Sequence, residues 1–203
     1  MARATTTSRL PRPTRAWSVG AYLSCVAVVC VLDQLAKAAA QARLVPGRPV
    51  VVLPDVLSLN LVRNEGAAFG ILQGQVAAFV ACAFVVVAAC LAYIVIGRHH
   101  TRLEVVSLGL VGAGAVGNVI DRIALGHVVD FIQVTFVRFP VFNVADIAVT
   151  CGFVLFLVSL FLNPDDEPPA GGASDDETVT PARRAGAEDG EGAEVPGAGE
   201  GAR

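Results

Sequence analysis

The sequence predicts an all-α membrane protein with four transmembrane helices, a small β element resting on one membrane face and a disordered acidic C-terminal tail. Three observations lead there. First, 54% of the 203 residues are hydrophobic and the mean hydropathy is +0.62, above that of an ordinary soluble domain. Second, four apolar runs approach or reach the length needed to cross ~30 Å of hydrocarbon. Third, charge is segregated, with eleven of the eighteen acidic residues lying between Asp165 and Glu200. Residues 1–162 carry twelve basic against seven acidic groups and residues 163–203 three against eleven, so the net charge of −3 describes neither part. No nucleic-acid partner is expected from that balance.

Residues 1–16 form a polar N-terminal segment with Arg3, Arg9, Arg12 and Arg15, and the apolar run Trp17 to Leu32 is the first expected span. A basic start, a core of about 14 apolar residues and the run Ala38-Ala39-Ala40 also fit a cleavable leader. Asp33, Gln34 and Lys37 intervene before those small residues, which favours an uncleaved helix, with the leader as the alternative. Val76 to Ile96 is an uncharged second span of 21 residues. Leu103 to about Ile123 is the third, and its Gly112, Gly114 and Gly117 suit a helix packed closely against others. About Val141 to Leu162 is the fourth. Between the first two spans, Val50–Leu53 and Leu57–Val62 flank Pro54-Asp55 and read as short strands, and the Val128 to Phe142 connector is suited to another. Residues 163–203, rich in Pro, Gly, Ala and acid, are expected to be disordered.

Four alternating spans return both termini to one side. The basic residues before the first span argue that this side is cytoplasmic, although the basic residues near the remaining span ends balance and do not orient the chain. Alternation has a firmer consequence. Asp33 at the end of span one, Asn64 to Gln75 before span two, Asn118 to Arg122 at the end of span three, and Asn143 with Asp146 at the start of span four all reach the same face. An ionisable group in or beside a bilayer is costly (~2.5–3.5 kcal/mol at a helix centre), so this convergence marks a functional site.

Two neighbouring carboxylates cannot both ionise cheaply, and a proton-sharing pair provides a base for water and an acid for a carbonyl. Asp33 precedes Lys37 by four residues and is expected to pair with it on a helix face. Asp121, beside Arg122 and three residues after Asn118, suggests a polar cluster at a helix end. Asp130 and Asp146 lie in apolar surroundings with no cation within four residues, and are the better catalytic pair. Against this, Asp146 near a helix start is equally suited to capping it, and Asp130 to a turn. Asn118, Arg122 and Asn143 offer donors to a peptide carbonyl. Gly66 and Gly70 read first as turn and packing positions. His99 and His100 belong to the opposite face and His127 has no second His nearby, so no metal is expected, and no cofactor. Cys25, Cys30, Cys82, Cys90 and Cys151 lie in apolar runs and read as packing residues. A transporter with intramembrane carboxylates and a scaffold with helix-pinning charges are the rival classes.

The motifs Asp33-Gln34-Leu35-Ala36-Lys37, Asn64-Glu65-Gly66-Ala67-Ala68-Phe69-Gly70, Gly117-Asn118 with Asp121-Arg122, Val128-Val129-Asp130-Phe131 and Phe142-Asn143-Val144-Ala145-Asp146 occur in that order. Over residues 17–162 they resemble bacterial lipoprotein signal peptidase, or signal peptidase II. The resemblance implies a four-helix peptidase domain at 17–162, between a cytoplasmic segment 1–16 and the tail. It implies an aspartic endopeptidase of the inner membrane that cuts prolipoproteins before a diacylglyceryl-modified Cys, with Asp130 and Asp146 catalytic. Asn64, Gly66, Asn118, Arg122 and Asn143 would hold the substrate, and Asp33, Lys37 and Asp121 would support the cluster. The site would face outward beneath a small extracytoplasmic sheet. The partners expected are prolipoprotein substrates and membrane lipids, and the enzyme is expected to be a monomer. The acidic tail and the scarcity of Lys depart from a minimal member of the family.

Overall fold

The computed structural model describes residues 13–66, 75–97 and 100–162. Residues 1–12, residues 67–74 with Gly70, residues 98–99 and residues 163–203, expected from the sequence to be a disordered tail, lie outside the described residues. The element order is α1 (Arg15–Arg43), β1 (Val50–Leu53), β2 (Leu57–Asn64), α2 (Val76–Ile96), α3 (Arg102–Leu125), β3 (Val128–Val134) and α4 (Val144–Leu162). All four helices are long and apolar enough to span a membrane.

α3 is the central helix and packs against the other three. Half of its most apolar stretch is buried, against 11–22% for α1, α2 and α4, whose remaining apolar surface faces outward as lipid contact requires. Small residues allow the close approach. A Cβ on Gly114 would collide with the backbone oxygen of Ala145 and lie 2.5 Å from Val149 Cγ2, and one on Gly117 would lie 2.8 Å from Asp33 Oδ2. Thr101 and Glu104 form a capping box at the start of α3, and Gly126, with φ of 78°, ends it in the left-handed conformation that a residue without Cβ adopts freely.

Two boundaries differ from the sequence expectation. Asp33 does not close the first span, because α1 continues for ten residues to Arg43. At 29 residues it is about 43 Å long, more than the ~30 Å of hydrocarbon requires. The continuation is sustained by burial of Asp33, Lys37 and Ala40 against the rest of the bundle. The fourth helix begins at Val144 rather than near Val141, because Phe142 pairs with β3: its N–H donates to Ile132 O at 3.0 Å and its carbonyl accepts from Ile132 N at 2.8 Å.

The three strands form one antiparallel sheet in the order β1-β2-β3. Val62 lies opposite Asp130 and Asn64 opposite Val128. Since side chains two apart on a strand share a face, this register sets Asn64 diagonal to Asp130 on the same side of the sheet. The connector expected to supply an extended piece thus does so, as β3.

Candidate active site

A buried ion cluster mounts the site. Lys37 Nζ lies 2.8 Å from Asp33 Oδ2 and 2.9 Å from Asp121 Oδ2, with all three side chains no more than 3% exposed. The i,i+4 pair of Asp33 and Lys37 is therefore present, and Asp121 from α3 joins it. Each carboxylate has a second duty. Asp33 Oδ1 accepts from Ala145 N of α4 at 2.9 Å, and Asp121 Oδ2 accepts from Val129 N of β3 at 3.0 Å. Gln34 donates to Asp121 Oδ1 at 2.9 Å and to Gly117 O at 3.3 Å. Charges buried this deeply persist only when paired and fully hydrogen-bonded, and the cluster ties α1, α3, β3 and the first turn of α4 together.

Against that mount stand Asp130 from β3 and Asp146 from α4. Asp130 is 2% exposed, and accepts from Asn64 Nδ2 at 2.8 Å and Asn143 Nδ2 at 2.7 Å. Asp146 accepts from Asn118 Nδ2 at 2.8 Å and from the Asn143 backbone N–H at 3.1 Å, while its own N–H donates to Asn143 Oδ1 at 3.0 Å. The capping and the active-site readings of Asp146 are therefore not exclusive: it forms a reciprocal box with Asn143 and also faces the cavity. Asn143 links the two carboxylates, and among the described residues no hydrogen bond joins them directly. Burial pushes the Asp130 carboxyl up from the ordinary 3.8 to about 6. Hydrogen bonds from Asn64 and Asn143 and the charge of Lys37 oppose that push, and the charge of Asp146 adds to it.

Arg122 is half-buried, with Nη2 donating to Gly66 O at 3.3 Å, Nη1 to Asn118 O at 3.3 Å, and its guanidinium 4.5 Å above the Phe79 ring. Gly66 is buried and its N–H donates to Asn64 Oδ1 at 3.0 Å, which ties it to the Asn64 side chain.

Asn64, Gly66, Asn118, Arg122, Asp130 and Asp146 line one cavity of about 460 Å³. Its other wall, which includes Val128, Phe139, Pro140, Val141, Phe142 and Ile147, is apolar. The sequence assigns no part in the site to that wall or to Gln34. Gln34 had a usable signal, a polar residue on an apolar helix between Asp33 and Lys37, whereas nothing local distinguishes a cavity-lining Phe or Ile from one facing lipid. All ten residues named from sequence lie at one end of the bundle. Glu104 and His100 lie at the other, joined by α3 but outside this site. Among the described residues there is no group of three or more His, Cys, Asp or Glu side chains placed to hold a metal ion.

The arrangement can place a water between a base and an acid, with amide and guanidinium donors for a carbonyl and an apolar wall for hydrocarbon. The sequence profile of the signal peptidase (SPase) II family matches residues 25–162. The lipoprotein signal peptidase of Brevibacillus brevis is 41% identical over 143 residues, 70% of this chain and 95% of the relative. That of Gloeobacter violaceus is 38% identical over 144 residues, 70% of this chain and 83% of the relative. A bacterial membrane enzyme solved by the in meso method at 2.3 Å resolution superposes with a TM-score of 0.68 at 30% identity, covering 75% of this chain and 94% of that one.

Proposed function

Because the chain belongs to the signal peptidase II family, the multi-pass membrane proteases that remove signal peptides from prolipoproteins, we propose that it works as an aspartic endopeptidase through Asp130 and Asp146. The observation that carries this reading is the meeting of a carboxylate from β3 with one from α4 at a single cavity that is polar on one side and apolar on the other.

In this mechanism Asp130, the more buried acid, carries the shared proton, and Asp146 is the ionised base. Asp146 takes a proton from water as the water oxygen bonds to the scissile carbonyl carbon, and Asp130 gives its proton to the carbonyl oxygen. The tetrahedral intermediate collapses when that hydroxyl proton returns to Asp130 and Asp146 gives its proton to the departing nitrogen. The C–N bond breaks, releasing an amine and a carboxylic acid, and the pair is restored. Asn64, Gly66, Asn118, Arg122 and Asn143 hold the substrate backbone and the acids in register, and Asp33, Lys37 and Asp121 hold the helices that carry them.

The substrate is a precursor whose Cys bears a diacylglyceryl group, and the bond cut precedes that Cys. The apolar wall gives hydrocarbon a place beside the acids, so binding at a distance from the reacting bond contributes to positioning it. The enzyme acts as a monomer among the lipids of the bacterial cytoplasmic membrane, with both termini cytoplasmic and the site near the outer face. Incubation with a synthetic lipidated precursor tests the reading through the size and new N-terminus of the product. A product beginning at the modified Cys is expected, and an intact precursor, or a cut elsewhere, would overturn it.

A further inference from the structure

Lys37 does more than neutralise the two carboxylates beside it. Its Nζ also lies 3.1 Å from Asn118 Oδ1, and Asn118 Nδ2 lies 2.8 Å from Asp146 Oδ1. An ammonium only donates and a carboxylate only accepts, so these two neighbours leave the Asn118 carboxamide one orientation. Asn143 agrees with it: its Oδ1 is occupied by the Asp146 N–H, so its Nδ2 is what faces Asn118 Oδ1, at 3.1 Å, and Asp130 Oδ1, at 2.7 Å. Without the ammonium, Asn118 Oδ1 keeps a single donor, Asn143 Nδ2, and the carboxamide that donates to Asp146 is held less firmly in place.

We propose that Lys37 is a positioning residue for the reaction, acting through Asn118 to hold the Asp146 carboxylate in place. The proposal rests on the reading of Asp130 and Asp146 as the dyad. Lys37 is 1% exposed and does not line the cavity, so the effect expected of it is on the chemical step and not on binding. The charged groups around the pair are Lys37 and Asp33 from α1 and Asp121 and Arg122 from α3. Among the described residues, α2 and, beyond the dyad itself, β3 and α4 contribute no charge, and Arg63 of β2 and Glu65 just after it are exposed. Lys37 is the cation of this set that is hydrogen-bonded to Asn118 Oδ1.

The test is the full pH dependence of kcat and KM on a lipidated precursor. In Lys37→Met, kcat per folded enzyme should fall about 100-fold, as expected for a displaced catalytic group, with KM within about twofold. The upper limb of the kcat/KM profile should move to higher pH, because a positive charge that opposes the raised Asp130 value has gone. Lys37→Arg should recover part of kcat. Since Lys37→Met leaves two acids buried without a cation and is prone to misfold, the neutral triple variant Asp33→Asn, Lys37→Met, Asp121→Asn serves as the second test. It should show the same loss of kcat, without the upward limb shift of Lys37→Met, because two negative charges leave together with the positive one. In an Asn118→Ala background, Lys37→Met should add little further loss of kcat, because the link it works through is absent.

Wild-type kcat in a folded Lys37→Met or triple variant would overturn the proposal, as would an unmoved upper limb in Lys37→Met or full additivity with Asn118→Ala. Failure of the underlying dyad would show differently, as retained activity in Asp130→Asn or Asp146→Asn.

Discussion

Asn143 and Asp146 cap each other across the first turn of α4: the backbone N–H of each donates to the side-chain oxygen of the other, at 3.1 and 3.0 Å. A helix-start motif therefore holds one of the two acids, and the same Asn143 reaches the other acid, Asp130, at 2.7 Å.

This double use separates two substitutions at one position. Asp146→Asn keeps an acceptor for the Asn143 N–H and should leave thermal stability close to wild type while abolishing turnover. Asp146→Ala should abolish turnover and also destabilise the fold by about 1 kcal/mol, the usual cost of losing a cap. Thermal unfolding in detergent, read beside a cleavage assay, checks both. Equal melting temperatures for the two variants would contradict the cap.

The raised Asp130 value sets a pH dependence. In free enzyme the shared proton is lost as pH rises through about 6, so kcat/KM should fall above that pH. The kcat profile should fall at higher pH, because a bound lipidated substrate covers the cavity and extends the desolvation of Asp130. Stability follows the same proton. Because the folded-state value lies above the ordinary 3.8, the contribution of the Asp130 proton is complete below that pH and is lost as pH rises through about 6. Asp130→Asn should remove this loss, so that the mutant gains on wild type between those two pH values in a melting series. A flat difference would count against it.

The ion cluster should be unequal in its members. Asp121→Ala removes the partner of Lys37, of Gln34 and of the Val129 N–H together, and should cost about 3–5 kcal/mol, as breaking a buried charge pair does. Asp33→Asn leaves Lys37 paired with Asp121 and still offers an acceptor to Ala145 N, so its cost should be clearly smaller. Denaturant or thermal unfolding of the two variants gives the order directly.

The packing of α3 on α4 gives a matched pair of glycine substitutions. Gly114→Ala forces a Cβ into Ala145 and Val149, one turn from Asn118, and should lower both stability and cleavage by displacing Asp146 from its donor. Gly20→Ala meets nothing within 4 Å and should be neutral or stabilising by up to ~1 kcal/mol through helix propensity. Expression, melting temperature and activity of the two proteins check the contrast.

A chain ending at Leu162 keeps every residue assigned to the site, and cleavage of a lipidated precursor by that chain is expected to match the full protein. Loss of activity would give residues 163–203 a part in the reaction.

The sequence alone determined the spans, the strands at Val50–Leu53 and from Leu57, and the grouping of the polar motifs at one end of the bundle. Those properties are written in local composition: an apolar run of membrane length cannot be satisfied in water, and alternation then dictates which ends meet. Asp130 and Asp146 were legible as candidates because an acid without a nearby cation in apolar surroundings is costly unless something distant compensates for it. What compensates was not legible. Hydrogen-bond partners such as Asn64 for Asp130 and Asn118 for Asp146 lie 66 and 28 residues away in the chain. The extra ten residues of α1 depend on burial of Lys37 between two carboxylates, one of them from α3. The apolar wall of the cavity consists of residues whose side chains are ordinary until folding turns them inward. Only the tertiary structure decided these, because burial and hydrogen-bond geometry are properties of surfaces brought together, and a pairwise contact between distant segments leaves no mark on either segment alone.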